Sequence, residues 1–251
     1  MGPKTKKIAI VQARMGSTRL PGKSLSEIAG KPAIYHLFKQ LSHSRYLNQV
    51  VLATTTNRGD DSLVAYAQQQ KWHIYRGSED DVLDRYYHAA VNQNCSSEDI
   101  IVRVTGDDIF VDPEIVDGLL EYFMSRQPAV KHACNNRTAT YPYGADVEIF
   151  SFDALYLAWQ HAELPEEREH VTPYIRNHPE LFPFIEIKLP EDLSHIRLSI
   201  DYPEDLEFNR RLYKLLIKKH QPPIHLDHIV ECIAMNDLKH PLVDYTNGAA
   251  K

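Results

Sequence analysis

The sequence predicts an α/β fold in which a mainly parallel sheet is flanked by helices. Short apolar runs alternate with longer amphipathic ones along most of the 251 residues, which is typical of strand–helix units. Several short runs are rich in valine and isoleucine and apolar nearly throughout, as strands covered on both faces should be. Pro32, Pro113 and Pro203 stand where the first turn of a helix tolerates proline.

The first half of the chain predicts four strands, each followed by a helix. Each strand is a short run that is mostly apolar, and each helix is a longer amphipathic run. In chain order the strands are Ile8–Gln12, Val50–Ala53, His73–Tyr75 and Ile100–Val104, and the helices are Pro32–His43, Asp60–Lys71, Asp80–Asn94 and Pro113–Arg126. This regular alternation favours parallel pairing.

The second half is less regular, particularly between Asn135 and Pro190. Its predicted strands are Val130–Ala133, Val147–Phe150, Phe184–Lys188 and Arg197–Ile200, and its predicted helices are Phe152–Glu163, Arg168–Asn177, Pro203–His220 and Leu226–Met235. We expect antiparallel strands or an inserted lobe in the irregular part. No internal repeat or interdomain linker is evident, so residues 1–251 are predicted to form a single domain.

Composition excludes several classes of protein. The formal net charge of −6 argues against a uniformly basic nucleic-acid binder. The three cysteines, Cys95, Cys134 and Cys232, are widely spaced and odd in number, which argues against a disulfide framework and indicates a cytoplasmic protein. No apolar run reaches transmembrane length, so no membrane partner is expected.

The segment VQARMGSTRLPGKSL follows the first predicted strand and concentrates positive charge. It carries three cations and two glycines, Arg14, Arg19, Lys23, Gly16 and Gly22. Backbone N–H groups of a glycine-containing loop can surround phosphate oxygens, while arginine and lysine neutralise their charge. The spacing matches neither GxxxxGK[ST] nor GxGxxG. Composition alone therefore leaves two interpretations open, a site for a triphosphate or pyrophosphate and an ordinary solvated basic loop.

Longer motifs carry a family resemblance. ARMGSTRLPGKSLSEIAGKPAIYHL resembles the N-terminal signature of sugar-activating cytidylyltransferases. The blocks RGSEDDVLDRYYHAA, VRVTGDD, GADVEIFSFDAL, REHVTPYI and LSIDYPEDLEF resemble the spore coat polysaccharide biosynthesis protein F type, which is related to the CMP-Kdo and CMP-sialic acid synthetases. The resemblance implies a Rossmann-like nucleotide-diphospho-sugar transferase fold with a small inserted antiparallel lobe. The lobe, at about residues 135–190, would serve the acceptor or a homodimer contact.

The resemblance also implies which residues bind the nucleotide. The loop residues that match the family are Ala13, Arg14, Gly16, Ser17, Arg19 and Lys23, with Arg19 and Lys23 expected to act in catalysis. Arg76 and Ser78 are expected near the base or ribose. Lys31 belongs to the matching GKP element, or it only solubilises the start of its helix.

Two aspartates are candidates for Mg²⁺ binding. IIVRVTGDDIFVDP and IRLSIDYPEDLEF are apolar strands that end in acidic residues, and ligands of parallel sheets bind beyond the carboxyl ends of strands. Asp107 and Asp201 match the metal ligands of the family, although each could instead cap the following helix. Relatives commonly have GDCPLIDP where this chain has GDDIFVDP, so Asp108 could share or compete for the metal. Asp112 is expected to cap the helix at Pro113.

The function implied by the resemblance is transfer of CMP from CTP to an acceptor, with release of pyrophosphate. Candidate acceptor-binding residues are Asp146, Glu148, Arg168 and His170, or these are helix caps and dimer contacts. Asp146 and Glu148 lie two apart and should face one side of a strand. A nonulosonic or deoxy-octulosonic sugar acid is the first choice of acceptor. A phosphorylated sugar, polyol or phosphonate is the alternative, and a nucleotide-sugar-dependent glycosyltransferase or a non-catalytic nucleotide-binding subunit would be another class.

Overall fold

Seven strands form the central sheet of this protein, whose computed structural model describes residues 5–244 and 249–250. The strands of the described part are β1 Lys7–Gln12, β2 Glu27–Ile28, β3 Lys31–Pro32, β4 Gln49–Thr55, β5 His73–Gly77, β6 Ile100–Thr105, β7 His132–Cys134, β8 Glu148–Ser151, β9 Phe184–Glu186, β10 Val243–Asp244 and β11 Ala249–Ala250. The order in the central sheet is β5-β4-β1-β6-β8-β7-β9.

Helices cover both faces of this sheet. Within the described residues they are α1 Ala33–Leu41, α2 Asp61–Gln69, α3 Val82–Asn92, α4 Pro113–Arg126, α5 Phe152–His161, α6 Pro165–His170, α7 Pro173–Asn177, α8 Pro203–Leu216 and α9 Leu226–Met235. Alternate side chains of β1 point to opposite faces, as in any strand. Ala9 and Val11 therefore pack in one buried cluster, whereas Ile8 and Ile10 pack in another.

The predicted mainly parallel α/β fold with a small antiparallel element is confirmed. Strands β5, β4, β1 and β6 are parallel to one another, whereas β8 runs antiparallel to both β6 and β7. Two small antiparallel pairs, β2 with β3 and β10 with β11, lie outside the central sheet. No helix in the part of the chain that the structure describes is long and apolar enough to cross a bilayer.

The predicted strand Arg197–Ile200 is wrong. This segment is extended, but only Arg197 forms a bridge, with Tyr143. The N–H groups of Leu198 and Ser199 donate to the Tyr143 carbonyl at 2.7 and 3.2 Å, and the Ile200 N–H donates to the backbone carbonyl of Asp107 at 3.2 Å. The segment therefore pairs with two loops that border the sheet, and its apolar side chains fill a third cluster against α8 and α9.

The predicted single helix Arg168–Asn177 is also wrong, because two helices, α6 and α7, cover this segment. Val171 has a positive φ of 72°, which interrupts helical geometry and separates α6 from α7. Pro173 then begins α7, as proline often does at a first helical turn. The interruption places His170 at the end of α6, where it borders the cavities described below.

Candidate active site

Two adjoining cavities open beyond the carboxyl ends of β1 and β6. We call the larger one, of about 770 Å³, the loop cavity because the segment after β1 lines it. We call the smaller one, of about 320 Å³, the acidic cavity because five carboxylates line it, those of Asp107, Asp108, Asp146, Glu148 and Asp201. The cavities share the residues at their junction, which are Gln12, Arg19, Thr105, Asp107, His170 and Asp201.

The loop after β1 is held in place by its own backbone and by Asp60. The Gly22 N–H donates to the Met15 carbonyl at 2.9 Å, and Gly22 has a φ of +77°, which glycine adopts without strain. The Met15 N–H donates to Asp60 Oδ1 at 2.7 Å. Asp60 is buried and also accepts hydrogen bonds from Thr54 and Thr55 at the end of β4. The central sheet therefore fixes the position of the loop.

Lys23 brings together the two aspartates that the sequence singled out. Its Nζ lies 2.5 Å from Asp107 Oδ2 and 3.1 Å from Asp201 Oδ1, and it also donates to the Ile200 carbonyl at 2.7 Å. Burial by itself would lower the pKa of Lys23, but the two carboxylates outweigh burial and raise it. Arg19 Nη2 lies 2.6 Å from the same oxygen of Asp201. Lys23 therefore contacts both carboxylates at the junction, and Arg19 contacts that of Asp201.

Asp201 is oriented from behind by a buried ion pair. Arg197 contacts Asp205 at 2.7 Å through Nε, and its Nη2 lies 3.3 Å from Asp201 Oδ2. The hydroxyl of Tyr143 donates to the same Asp201 oxygen at 3.2 Å. Asp205 accepts the N–H groups of Asp201 and Tyr202, each at 2.8 Å. These contacts leave the carboxylate of Asp201 facing the junction.

Helix capping is assigned to other aspartates. Asp112 accepts a hydrogen bond from the Glu114 N–H at 2.8 Å at the start of α4, as the sequence predicts. At the start of α8 it is Asp205 that accepts the Tyr202 N–H. Neither Asp107 nor Asp201 is the side-chain cap of the following helix. The capping alternative therefore has no support in the geometry.

The carboxyl groups that line the acidic cavity differ in the direction in which their pKa values are shifted. Burial would raise the pKa of Glu148, but His132 and Arg103 overcome it and lower the pKa to about 2. Arg103 Nη1 lies 2.9 Å from Glu148 Oε2. Burial raises the pKa of Asp146 to about 6, with Glu148 adding to the effect. Burial, together with Asp107 and Asp146, raises the pKa of Asp108 well above its usual range. Asp146 and Glu148 do face one cavity, as their spacing predicts.

The remaining predicted residues divide between the cavities and the protein surface. Ala13, Arg14, Ser17 and Arg168 line the loop cavity, and His170 borders both cavities. Arg14 pairs with Glu79 at 2.7 Å, and Arg168 pairs with Asp81 at 2.5 Å.

Arg76 and Ser78 do not line either cavity. Arg76 instead donates to the carbonyls of Thr55 and Asn57 and pairs with Asp61. Gly16 belongs to the loop but is absent from the cavity wall. Lys31 is exposed over the ring of Tyr35, 5.5 Å from its centroid.

Several polar residues of the cavity walls were not singled out from the sequence. Gln12 and Thr105 are the last residues of β1 and β6, so a polar residue at a strand end is the signal that could have found them. Asn136, Tyr143 and Ser199 come from loops whose contacts the sequence pattern does not encode. Asp60 contacts the loop through the Met15 N–H. No sequence pattern selects it beyond its position at the start of a predicted helix.

The residues at the junction fit a hydrated Mg²⁺ ion. Asp107 and Asp201 already share one cation, the ammonium group of Lys23, at 2.5 and 3.1 Å. Within residues 5–244 and 249–250, no three histidine, cysteine, aspartate or glutamate side chains lie together in a way that could hold a metal ion. Two carboxylates suffice for Mg²⁺, which takes its other ligands from water and substrate phosphates.

Comparison with known proteins agrees with this geometry. A family model described as cytidylyltransferase matches residues 8–228. The chain is 34% identical to the spore coat polysaccharide biosynthesis protein SpsF of Bacillus subtilis, over 82% of this chain and 85% of that protein. It is 30% identical to a 3-deoxy-manno-octulosonate cytidylyltransferase of Lawsonia intracellularis, over 86% and 84%. The structure of a cytidylyltransferase from Leptospira borgpetersenii is similar with a TM-score of 0.88 at 32% identity, covering 96% of this chain and 100% of that one.

Proposed function

This chain belongs to the cytidylyltransferase family of nucleotidyltransferases, and from that premise we propose that it transfers CMP from CTP to a sugar acid of the nonulosonic or deoxy-octulosonic type. The product would be a CMP-sugar for the assembly of a surface polysaccharide or glycan. The relatives support this choice, since one acts on 3-deoxy-manno-octulosonate by name and another takes part in polysaccharide biosynthesis by name.

One observation carries the proposal. The cations of the loop after β1 and the carboxylates of Asp107 and Asp201 meet where the two cavities join. A nucleotide in the loop cavity would place its triphosphate along Arg14, Arg19 and Lys23. An acceptor in the acidic cavity would then approach the same phosphates from the other side. The arrangement suits the joining of two substrates across one junction.

The residues have distinct tasks in this reaction. The acceptor hydroxyl attacks the α-phosphorus of CTP in line, and pyrophosphate leaves from the opposite side. Arg19 and Lys23 would exchange their present carboxylate partners for phosphate oxygens and stabilise the negative charge that develops on pyrophosphate. Asp60 holds the loop backbone in position for these contacts. Catalysis of this kind depends mainly on positioning and charge neutralisation.

Asp107 and Asp201 would hold Mg²⁺ in the same complex. When bound there, Mg²⁺ neutralises phosphate charge and polarises the reacting phosphoryl group. Arg197 and Tyr143 keep Asp201 in place for this role. The loop cations compensate both carboxylates in the structure, so release of Lys23 toward the nucleotide would uncover them.

Two alternatives differ in their substrates. A phosphorylated sugar, polyol or phosphonate would use the same nucleotide site and the same release of pyrophosphate. A nucleotide-sugar-dependent glycosyltransferase would release no pyrophosphate and would have no use for a triphosphate loop. The concentration of cations at the junction favours a triphosphate donor.

The experiment that tests the proposal is a screen for pyrophosphate release. Purified protein with Mg²⁺ is incubated with CTP, ATP, GTP or UTP and with a panel of sugar acids, phosphorylated sugars and polyol phosphates. We expect release with CTP and at least one sugar acid. Release only with phosphorylated acceptors would establish the alternative acceptor class. An absence of release with every acceptor would refute nucleotidyl transfer to these compounds.

A further inference from the structure

Two carboxylates of the acidic cavity have no cationic partner. Among residues 5–244 and 249–250, neither Asp108 nor Asp146 forms an ion pair. Asp108 is 4% exposed, and the cavity is lined by its side chain. Its Oδ2 accepts a hydrogen bond from the Thr105 hydroxyl, whereas its Oδ1 is buried and has no hydrogen-bond partner among the residues that the structure describes.

The other acids of this cavity are compensated. Glu148 contacts Arg103 at 2.9 Å and lies 3.6 Å from Arg176. Asp107 contacts Lys23, and Asp201 contacts both Arg19 and Lys23. Of the five acids that line the cavity, Asp108 and Asp146 are therefore the two without an ion pair in the described part of the chain. A buried carboxylate without partners is costly, and a ligand that brings hydrogen-bond donors removes that cost.

The cations at the junction favour one orientation of a sugar acid in the cavity. Its carboxylate is adjacent to the anomeric hydroxyl that attacks CTP, so that end belongs at the junction, beside Arg19 and the proposed metal site. The rest of the molecule then faces the other residues that line the acidic cavity, among them Asp108 and Asp146. A phosphate or carboxylate there would bring no hydrogen-bond donor to them.

Given the proposed CMP transfer, on which this inference rests, we propose that Asp108 and Asp146 bind hydroxyl or ammonium groups at the end of the acceptor remote from the attacking hydroxyl. Asp108 is then a specificity-determining residue. The residue favours acceptors with a polyhydroxyl or amino tail. It discriminates against acceptors that carry a phosphate or a second carboxylate at that position, because those groups bring no hydrogen-bond donor to the buried carboxyl oxygens.

The test compares matched acceptors and matched variants. Pyrophosphate release from CTP is measured with sugar acids whose remote end bears a hydroxyl, an amine or a second carboxylate. The proteins are the wild type, Asp108→Asn, Asp146→Asn and the control Asp117→Asn. Asp117 is a buried aspartate of α4 that accepts hydrogen bonds from Ser44 and Arg45 and lines neither cavity.

We expect the wild type to prefer the hydroxyl or amine form over the carboxylate form by about tenfold or more in kcat/KM. Asp108→Asn should lower that ratio about tenfold and raise the KM of the acceptor, while the KM of CTP and the Mg²⁺ midpoint stay within about twofold. A larger loss with the amine than with the hydroxyl would identify an ammonium group as the ligand. The Asp117→Asn variant should keep the wild-type ratio.

Equal kcat/KM of the wild type for the hydroxyl and carboxylate forms would overturn the inference. So would an unchanged ratio in Asp108→Asn. If Asp108→Asn does not fold, the same kcat/KM ratios are compared between Asp146→Asn and the wild type, and an unchanged ratio would overturn the inference. If no acceptor gives pyrophosphate, the proposed function fails separately. Calorimetry of the same sugars with CTP-saturated protein then tests the tail preference, and equal binding of all three forms would refute it.

Discussion

The side-chain nitrogen of Lys23 lies 2.5 Å from Oδ2 of Asp107. The two residues are 84 positions apart, one in the loop after β1 and the other in the turn after β6. The same nitrogen lies 3.1 Å from Asp201 Oδ1. A cation proposed to bind triphosphate is thus shared by two carboxylates proposed to bind Mg²⁺, which couples the two binding events.

Replacing Lys23 by methionine should weaken CTP binding and expose the carboxylates. The change removes the ammonium group and keeps most of the apolar stem. A charge-assisted phosphate contact is worth about 1.5–3 kcal/mol, so we expect the Kd of CTP to rise about tenfold or more. Mg²⁺ should stabilise the nucleotide-free variant at lower concentration than it stabilises the wild type. Calorimetry and thermal unfolding measure both effects.

The matched control is Lys39→Met, because Lys39 is exposed on α1 and lines neither cavity. It should behave as the wild type in both measurements. Wild-type CTP affinity in Lys23→Met would mean that the loop is an ordinary basic turn.

Asp107→Asn and Asp201→Asn should each fold, require far more Mg²⁺ and lose most activity. Asparagine keeps the size of aspartate but removes the charge that Mg²⁺ requires. Since residues that act as one unit are non-additive, the double variant should be little worse than either single variant. Steady-state rates over a Mg²⁺ titration measure this. Nearly intact rates combined with a loss of stability would instead indicate a purely structural role for the two carboxylates.

CTP should stabilise the protein more than ATP or GTP at equal concentration. A ligand that binds only the folded state raises its stability according to its own affinity. The family match is the reason to expect cytosine selectivity. Thermal unfolding with each nucleotide and Mg²⁺ measures the order. Greater stabilisation by a purine nucleotide would contradict the assignment of CTP and leave nucleotidyl transfer open.

The Asp146→Asn variant should be more stable than the wild type, and the difference in the free energy of unfolding should grow as the pH rises. Burial raises the pKa of Asp146 from 3.8 to about 6 in the folded protein. The folded state therefore holds this proton more tightly than the unfolded state, and stability is lost as the pH rises from about 4 through about 6. The asparagine variant escapes this loss, which is at most about 3 kcal/mol and smaller where solvent reaches the group.

Denaturant unfolding of both proteins at pH 4 and pH 7, with a chelator present, measures the difference. The gain in Asp146→Asn should be larger at pH 7. A gain that is the same at both pH values would show that the pKa of Asp146 is not raised.

Asp60→Asn should impair nucleotide binding although Asp60 lies outside both cavity walls. Asparagine keeps one accepting oxygen, but its amide nitrogen cannot accept, so the hydrogen bond from either the Met15 or the Thr55 N–H is lost. We expect a higher KM for CTP, and a loss of stability of about 1–3 kcal/mol for the unsatisfied buried groups. The neighbouring Asp61→Asn is the control, because Asp61 is exposed and pairs with Arg76. An unchanged KM for CTP in Asp60→Asn would exclude the positioning role.

The sequence by itself determined the four strand–helix units of the first half and the residues of the opening loop. Alternating apolar and amphipathic runs predicted β1, β4, β5 and β6 with their helices, because periodicity and burial are local properties of a segment. The helices α4 and α9 begin and end at the residues predicted. Asp107 and Asp201 could be proposed together because strand ends and a family motif both marked them.

Only the tertiary structure decided which side chains meet. The extended segment before Asp201 pairs with Tyr143 and Asp107 instead of a sheet neighbour, and no local pattern encodes such partners. Arg76, which the resemblance placed near the base or ribose, donates its hydrogen bonds to the end of β4 and lies outside the cavities. That Asp108 has no ion pair among the described residues is likewise a property of the fold, since charge compensation depends on distances between segments far apart in the chain.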